Sequence, residues 1–198
     1  REVPGVYVRG EEGYGLFPNI GIRGVDSTRS SKVTIMEDGV LMAPAPYSAP
    51  SAYYTPTTGR MSGIEVMKGS SQVKYGPHTT GGAINFLSTP IPSTQKLYHK
   101  STFGYWNELR NHTYFGNTQQ LENGSRVGYV IEYYKRSNNG FKILDTNAPD
   151  VRGEPNTGFS NEEPMLKAFW EPKTAKSQRI EAKFGFSNLD ANETYTGL

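Results

Sequence analysis

Hydrophobic and polar positions follow two different patterns along the chain, and the change falls near residue 92. Before that point, short runs of β-branched residues alternate with turn signals rich in Gly, Pro and Asp. Such runs favour strands, and the turn residues end them after a few positions. The predicted strands are residues 6–8, 20–24, 33–37, 40–42, 64–67 and 83–87. A helical turn is predicted at residues 58–62, and a polar bend or a single helical turn at residues 70–74. Three prolines exclude a central strand from residues 43–54.

After residue 92 the predicted strands are longer, and hydrophobic and polar side chains alternate along them. They cover residues 96–107, 110–121, 126–136, 165–171 and 178–188, with turns at 122–125 and 172–177 and a long polar segment at 137–163. In the third strand one face carries Val127, Tyr129, Ile131 and Tyr133, and the other carries Gly128, Glu132 and Arg136. This period fits a membrane barrel strand with apolar residues outside, and it equally fits a soluble sandwich with one wet face.

Composition narrows the classes of protein without choosing one. The 198 residues include 22 Gly, 13 Pro and 13 Tyr, a mixture that suits strands and turns better than helices. The net charge of +2 gives little support to nucleic-acid binding. The absence of cysteine excludes disulfides and thiolate metal sites. No apolar run approaches the roughly 18 residues of a spanning helix, although barrel strands need only about ten alternating residues.

The most specific signal is an ordered set of short motifs within the first 92 residues. In chain order they are Pro4-Gly5-Val6, Ile22-Arg23-Gly24, Asp38-Gly39-Val40, Ile64-Glu65-Val66-Met67-Lys68-Gly69, Tyr75-Gly76 and Gly81-Gly82-Ala83-Ile84-Asn85. Together they resemble the plug domain of TonB-dependent outer-membrane receptors. Further strings resemble the ferric citrate receptor subfamily, namely Ala45-Pro46-Tyr47, Lys74-Tyr75-Gly76-Pro77 and Pro90-Ile91-Pro92.

This resemblance implies a β-rich fold class with two parts. Residues 1–92 would form a small mixed α/β plug domain, and residues 93–198 the first antiparallel strands of a transmembrane β-barrel. Plugged transporters have about 22 strands, whereas about five are predicted here. Because an open sheet edge in lipid leaves backbone groups unpaired, we expect a fragment of a longer receptor that also lacks the N-terminal part of its plug. Strands of the family begin at the periplasmic side, which makes residues 137–163 an extracellular loop.

The function implied by the resemblance is active uptake of a ferric chelate, ferric citrate or another ferric siderophore, across a Gram-negative outer membrane. Its implied partners are TonB with the inner-membrane energising complex, the chelate, and outer-membrane lipid and lipopolysaccharide. One alternative keeps the transporter but changes the cargo to cobalamin, another metal chelate or a saccharide. The other is a soluble, secreted β-rich binding or adhesion module. Only the transporter predicts an apolar belt, on Tyr129, Ile131, Trp170, Phe184 and Phe186.

Ligand contacts are implied for the outward plug loops, residues 11–16 and 44–54. The candidates are Tyr14, Tyr47, Ser48, Tyr53 and Tyr54. Tyrosine offers a rigid ring with a hydroxyl, which suits a polar, anionic iron chelate; the alternative is that these tyrosines pack against the barrel wall. Residues 11–16 are shorter and more acidic than in the ferric citrate receptors, which disfavours citrate itself. The cationic residues that would neutralise an anionic chelate are not identified by the sequence.

Two cationic residues in the motifs are implied to latch the plug. Arg23 and Lys68 are expected to be buried charges that pair with barrel glutamates, since a buried charge requires a partner. Lys68 stands where arginine is commoner, so its contact would be a point charge rather than a fork. The alternative is that both are solvated in a water-filled lumen.

Other chemistry finds little support in the sequence. The three histidines, His78, His99 and His112, have no metal-ligand spacing and are expected to be solvated. Asp145 and Asp150 do not have the spacing of a calcium loop. No nucleophile–base pair or carboxylate pair indicates an enzyme, so we predict neither catalytic residues nor a resident metal or cofactor.

Overall fold

The computed structural model describes residues 3–10, 13–42, 54–76, 79–142, 157–174 and 177–192. These residues form two compact units, one up to Ser88 and one from Thr89 onward. The domain boundary predicted after residue 92 stays a prediction.

The first unit contains a small four-stranded sheet and a separate hairpin. Its strands are β1 (Val6–Gly10), β2 (Pro18–Ile22), β3 (Val33–Glu37), β4 (Val40–Leu41), β5 (Gly63–Met67) and β6 (Gly82–Leu87). The order in the sheet is β4-β3-β6-β5, in which β3 and β6 are parallel and the other pairs antiparallel. Strands β1 and β2 form the hairpin. The described helical structure here is limited to 3-10 turns at Thr28–Ser30, Thr58–Arg60 and Ser70–Tyr75.

The core of this unit lies between the hairpin and the two parallel strands. It is built from Ile20, Ile22, Val33, Ile35, Ile84 and Phe86. Strand β3 is buried along its whole length, which explains its continuous β-branched run, because a parallel strand covered on both faces has no wet side. Gly82 has a φ of 154°, and a Cβ there would lie 2.8 Å from Ile22 Cδ1 and 2.9 Å from the Met67 carbonyl oxygen. The second glycine of the Gly81-Gly82 motif is therefore required by close packing.

The second unit is one antiparallel sheet. Its strands are β7 (Lys96–Phe103), β8 (Leu109–Gln120), β9 (Arg126–Asn138), β10 (Phe159–Glu171), β11 (Ile180–Gly185) and β12 (Asn188–Ala191). The order is β7-β8-β9-β10-β11, and β12 pairs with the other end of β10. The expectation of a β-rich fold with a run of antiparallel strands is confirmed.

Several predicted boundaries in this sheet are wrong. Strand β7 ends at Phe103 rather than residue 107, and the largest difference is in β10. The strand begins at Phe159 rather than residue 165, and β9 extends to Asn138, because the backbone ladder pairs Asn138 with Phe159 despite the polar side chains between them. The last predicted strand, residues 178–188, is broken after Gly185. The break lies opposite Pro164, which has no N–H to donate to Phe186, although the Phe186 N–H still donates to the Pro164 carbonyl (3.3 Å).

Candidate functional site

The sheet of the second unit has two faces of different chemistry, since alternate residues of a strand point to opposite sides. Along β9 the exposed residues are Tyr129, Ile131 and Tyr133, and the buried residues are Val130, Glu132 and Tyr134. The strand register aligns one residue of each strand into a continuous row: Leu97, Phe115, Ile131, Leu166 and Phe184. We call the side that carries this row the apolar face and the opposite side the polar face.

The apolar face is exposed. The five side chains predicted for a belt have exposed fractions of 37% (Tyr129), 56% (Ile131), 46% (Trp170), 72% (Phe184) and 61% (Phe186). A soluble monomer rarely exposes a contiguous apolar patch of this kind, because each Å² of apolar surface left in water costs about 25 cal/mol. This face therefore has the chemistry of a surface that contacts an apolar medium.

Polar side chains on the apolar face satisfy one another. His99 Nδ1 lies 2.8 Å from Thr113 Oγ1, and Ser101 Oγ lies 3.0 Å from His99 Nε2. Asn111 closes the ring, because its Nδ2 donates to Ser101 Oγ (3.2 Å) and its Oδ1 accepts from the Thr113 hydroxyl (3.0 Å). A closed ring of this kind lowers the cost of placing polar groups beside an apolar surface.

The polar face contains a buried carboxylate next to a histidine. Glu132 is 1% exposed, and its Oε1 lies 2.7 Å from His112 Nε2 and accepts a bond from the Thr89 hydroxyl. Its other oxygen, Oε2, has no hydrogen-bond partner among the described residues. The rings of Tyr98 and Tyr134 pack against the imidazole, with centroids 5.3 and 5.8 Å away. This arrangement holds the side chain of Glu132 in place.

Two arginines face each other across β8 and β9 at the loop end of the polar face. Arg110 and Arg136 are direct register partners. Glu108 lies between them, since its Oε1 accepts from Arg110 Nε at 2.7 Å and lies 3.5 Å from Arg136 Nε. The Arg110 side chain is 47% exposed and that of Arg136 is 16% exposed. One carboxylate is therefore shared by two guanidinium groups, of which one is accessible.

The first unit contains a buried ion pair that sequence reasoning did not find. The guanidinium of Arg60 donates to both carboxylate oxygens of Glu37, at 3.0 and 2.9 Å. Both side chains are 6% exposed. The Tyr54 hydroxyl accepts from Arg60 NH2 (2.9 Å) and lies 3.5 Å from Glu37 Oε2. The pair joins the end of β3 to the 3-10 turn that precedes β5.

The structure locates two of the five predicted ligand residues. Tyr14 is half-buried, and Tyr54 is half-buried with its hydroxyl in the Arg60–Glu37 network. Tyr47, Ser48 and Tyr53 lie outside the described residues. The role of the five residues in ligand binding stays a prediction.

Arg23 and Lys68 are exposed, whereas the sequence interpretation expected buried charges. Arg23 has a left-handed backbone (φ 60°), and its N–H donates to the Gly5 carbonyl at 2.7 Å. Lys68 Nζ donates to the Pro4 carbonyl at 2.7 Å. The Arg23 backbone and the Lys68 side chain thus both contact the Pro4-Gly5-Val6 motif, and the pairing of the two cations with glutamates of the sheet stays a prediction.

Two titratable groups of the first unit are shifted by local hydrogen bonds. The Thr28 backbone N–H (3.0 Å) and hydroxyl (2.8 Å) donate to Asp26 Oδ1 and hold the pKa of that carboxyl below its ordinary value. The hydrogen bond between Lys74 and the Tyr75 side chain raises the pKa of Lys74. Both groups are exposed, so the shifts concern local turns and not a site.

The expectation that the histidines are solvated is wrong for His112, which is half-buried and bonded to Glu132. The alternation of β8 places His112 on the polar face, and register with β9 then brings it beside a buried carboxylate. His99 is exposed but belongs to the polar ring on the other face. His78 lies outside the described residues.

Two absences apply to the part of the chain that the structure describes. No group of three or more His, Cys, Asp or Glu side chains there is arranged to hold a metal ion. No helix among those residues is long and apolar enough to cross a membrane.

The residues that sequence reasoning missed had partial signals. Glu37 is the last residue of a strand whose other side chains are uncharged. A charge in such a strand indicates a buried partner. Arg110 and Arg136 lie on the neighbouring strands β8 and β9, but only the register shows that they are opposite each other. The same is true of Glu132 and His112.

Comparison with known proteins gives the geometry a family context. Residues 1–83 match the family model of the TonB-dependent receptor plug domain. One similar solved structure is the ferric yersiniabactin uptake receptor FyuA of Yersinia pestis, with a TM-score of 0.64 and 20% sequence identity; the match covers 94% of this chain and 27% of FyuA. Another is the siderophore receptor PirA of Acinetobacter baumannii, with a TM-score of 0.59 and 17% identity; the match covers 96% of this chain and 28% of PirA. A third is a mutant of the ferric enterobactin receptor PfeA of Pseudomonas aeruginosa, with a TM-score of 0.62 and 17% identity; the match covers 96% of this chain and 29% of PfeA.

These matches show how much of the fold this chain shares with the solved receptors. The chain spans under a third of the length of each solved receptor. At such low identity the likeness concerns the fold alone, and it does not single out a ferric citrate subfamily. Residues 1–83 thus match a plug domain of the TonB-dependent receptors, and the chain as a whole has the fold of the N-terminal part of such a receptor.

Proposed function

We propose that this chain is part of a TonB-dependent receptor of a Gram-negative outer membrane that takes up a ferric chelate. The observation that carries the proposal is the exposed apolar face, which crosses β7 to β11 in register in the part of the chain that follows the plug-domain match. The similar solved structures are named as siderophore receptors, which supports a ferric chelate as cargo. They are transport receptors, and we propose transport without chemistry on the ligand.

Outer-membrane lipid is the proposed medium for the apolar face. Lipid-facing strands alternate apolar and polar residues and carry aromatic residues near the interfaces. Tyr133 fits this position, because it follows Ile131 on the same face and precedes the ion pair of Lys135 with Glu162 (2.7 Å). Polar rows beyond Tyr133 would then meet lipopolysaccharide headgroups. A soluble β-rich module, the other class considered, would have to cover this face with protein.

Ferric citrate or another ferric siderophore is the proposed cargo at the finer level. The sequence motifs around Tyr47 and Pro77 favour citrate, whereas the acidic segment 11–16 disfavours it. The proposed contacts are Tyr14, Tyr47, Ser48, Tyr53 and Tyr54. The latch proposed for Arg23 and Lys68 would hold the plug until TonB and its energising complex act on it. Cobalamin, another metal chelate and a saccharide are the competing cargoes.

The test uses the complete gene product in purified outer membranes. Ferric citrate is titrated while tyrosine and tryptophan fluorescence is followed, with iron-free citrate as the control. Saturable quenching by the iron form alone is expected. A folded protein in the membrane that does not respond would overturn citrate, and titration with ferric siderophores and cobalamin would then identify the cargo class. A protein absent from the membrane fraction would overturn the transporter itself.

A further inference from the structure

We propose that Glu132 and Thr118 anchor residues 89–92 on the polar face of the second unit, and that this anchor bears load when the plug is moved during uptake. The inference rests on the proposed function, because only a receptor whose plug is moved loads this segment. Glu132 and Thr118 are then positioning residues, which act through the segment and do not touch the cargo.

The segment that leads into the second sheet has little conformational freedom. Its sequence is Thr89-Pro90-Ile91-Pro92. Each proline ring fixes its own φ, and each proline restricts the residue before it to extended conformations. Because all four residues are restricted, fixing them on the sheet costs less conformational entropy than fixing four ordinary residues. A stiff segment of this kind transmits a displacement instead of absorbing it.

Thr89 makes the first contact of the anchor. It is 4% exposed, and its hydroxyl donates to Glu132 Oε1, which also lies 2.7 Å from His112 Nε2. In its row of the sheet Glu132 lies between Tyr114 and Met165. An uncharged side chain there would avoid the cost of burying a carboxyl group. What the carboxyl group adds at this place is an acceptor that joins Thr89 to His112.

Pro92 makes the second contact, in space left by two glycines. Its carbonyl accepts a hydrogen bond from the Thr118 hydroxyl at 2.7 Å. A Cβ on Gly116 would lie 2.7 Å from Pro92 Cδ and 2.9 Å from Pro92 Cγ. A Cβ on Gly128, the register partner of Thr118, would lie 2.8 Å from the Thr118 hydroxyl oxygen. The two glycines therefore make room for the proline ring and for the hydroxyl that holds it.

The two contacts bracket the segment, one at its first residue and one at its last. They connect it to two strands, since Glu132 lies on β9 and Thr118 on β8, and these strands are paired along the whole length of β8. A pull that arrives at Thr89 is therefore shared by two paired strands. Without the contacts, the pull would pass along the segment to Lys96, the first residue of β7, and would peel that strand from its end.

The test places a thiol in the segment and follows its accessibility in living cells. Ile91 is half-buried between the two prolines, and the chain contains no cysteine. Ile91→Cys is introduced into the complete gene product, and its rate of labelling by a small maleimide is measured in cells with and without TonB. The protein without this substitution gives the background. The cells receive ferric citrate, ferric enterobactin or ferrichrome, and uptake of radioactive iron is recorded in parallel.

Two pairs of variants separate the hydroxyls from the shape of the side chains. Thr89→Val with Thr118→Val removes both hydrogen bonds at nearly constant volume, whereas Thr89→Ser with Thr118→Ser keeps both hydroxyls. With the native threonines, labelling is expected to be slow and equal with and without TonB. The valine pair is expected to be labelled severalfold faster in cells with TonB only, and the serine pair to behave like the native threonines.

Thr113→Val is the matched control. It also removes a bonded hydroxyl from β8, but on the apolar face, where Thr113 donates to Asn111 Oδ1 at 3.0 Å. Labelling of the thiol at position 91 is expected to stay as slow as with the native threonines. If the valine pair does not reach the membrane, Thr118→Val alone replaces it and is expected to show a smaller increase that again requires TonB.

The remaining outcomes each overturn part of the proposal. Labelling of the valine pair that is equally fast without TonB would overturn the load-bearing role, because the contacts would then serve packing alone. Labelling as slow as with the native threonines would overturn the anchor. Labelling that depends on TonB already with the native threonines would show that the segment moves during uptake, which also overturns it.

Iron uptake by the protein with native threonines separates the anchor from the receptor function. Where uptake occurs, any of these contrary labelling results leaves the receptor function standing. A folded, membrane-embedded protein that takes up none of the three iron probes would overturn the proposed function and the anchor's role with it.

Discussion

At the scale of single residues, backbone conformation and buried charge determine which substitutions the first unit tolerates. Gly82 occupies a conformation closed to other residues and touches Ile22 and the Met67 carbonyl. We expect Gly82→Ala to destabilise the first unit by about 2 kcal/mol or more, since backbone strain and overpacking each cost about 1–3 kcal/mol. Hydrogen exchange of β3 and β6 measures this. Gly63→Ala on β5 is the control, because its Cβ would make only an ordinary contact of 3.4 Å.

The second prediction at this scale concerns the ion pair of Arg60 and Glu37. Arg60→Met leaves a buried carboxylate without its partner and is expected to cost about 3–5 kcal/mol. The double variant with Glu37→Leu is expected to recover most of that loss, because no charge then remains buried. Tyr54→Phe removes one hydroxyl and should cost about 1 kcal/mol. Urea unfolding of the purified protein distinguishes the three; a double variant as unstable as Arg60→Met would contradict the argument.

At the scale of the element, the cost of a charged substitution depends on its face and its position along the strand. Ile131 is at the centre of the exposed apolar row. In the proposed membrane setting, Ile131→Lys is expected to cost about 2–4 kcal/mol of folding free energy, the cost of a lysine facing lipid near the midplane. Ser137→Lys, on the same strand and face but near the loops, should cost much less. Urea titration of the folded protein in bilayers measures both, and equal effects would argue against a lipid-facing row.

A second prediction at this scale concerns Pro164, which lies opposite the break between β11 and β12. The break does not change the register. The pairing of β10 with β11 and that with β12 follow the same offset on either side of Pro164 and Phe186. Pro164→Ala restores the missing N–H, which would point at the Phe186 carbonyl. We expect the new amide at position 164 to be as protected from hydrogen exchange as Ala168, which is paired with Ala182 on the same strand. Fast exchange at position 164 would show another cause for the break.

At the scale of the whole molecule, the proposed receptor separates binding from energy coupling. Binding needs only the outward surfaces, whereas uptake needs TonB and the inner-membrane proton gradient. We therefore expect deletion of TonB, or addition of an uncoupler, to abolish uptake of radioactive iron from the bound chelate while its Kd stays unchanged. Uptake that persists without TonB would contradict the proposal, and a parallel measurement with an unrelated porin substrate controls for general damage to the membrane.

The sequence by itself determined the strands of the first unit and the alternation of the second. Runs such as Val33–Glu37 and the period from Val127 to Tyr133 are local properties, because β-branched residues favour strands and side chains alternate with a period of two. The motif glycines were recognised from the sequence only as part of the plug resemblance, and the close packing that requires Gly82 is seen in the structure. These features, together with the plug match, were enough for the fold class.

Only the tertiary structure decided which residues meet. The partners Glu37 with Arg60, Glu132 with His112, and Arg110 with Arg136 are each 20 or more residues apart along the chain, and pairing across strands depends on a register that no local pattern specifies. The extension of β10 to Phe159 was missed for the same reason, because backbone hydrogen bonds to β9 stabilise a polar segment that side-chain periodicity describes as a loop. The physical reason is common to all: strand identity is local, but register and ion pairing come from the assembled sheet.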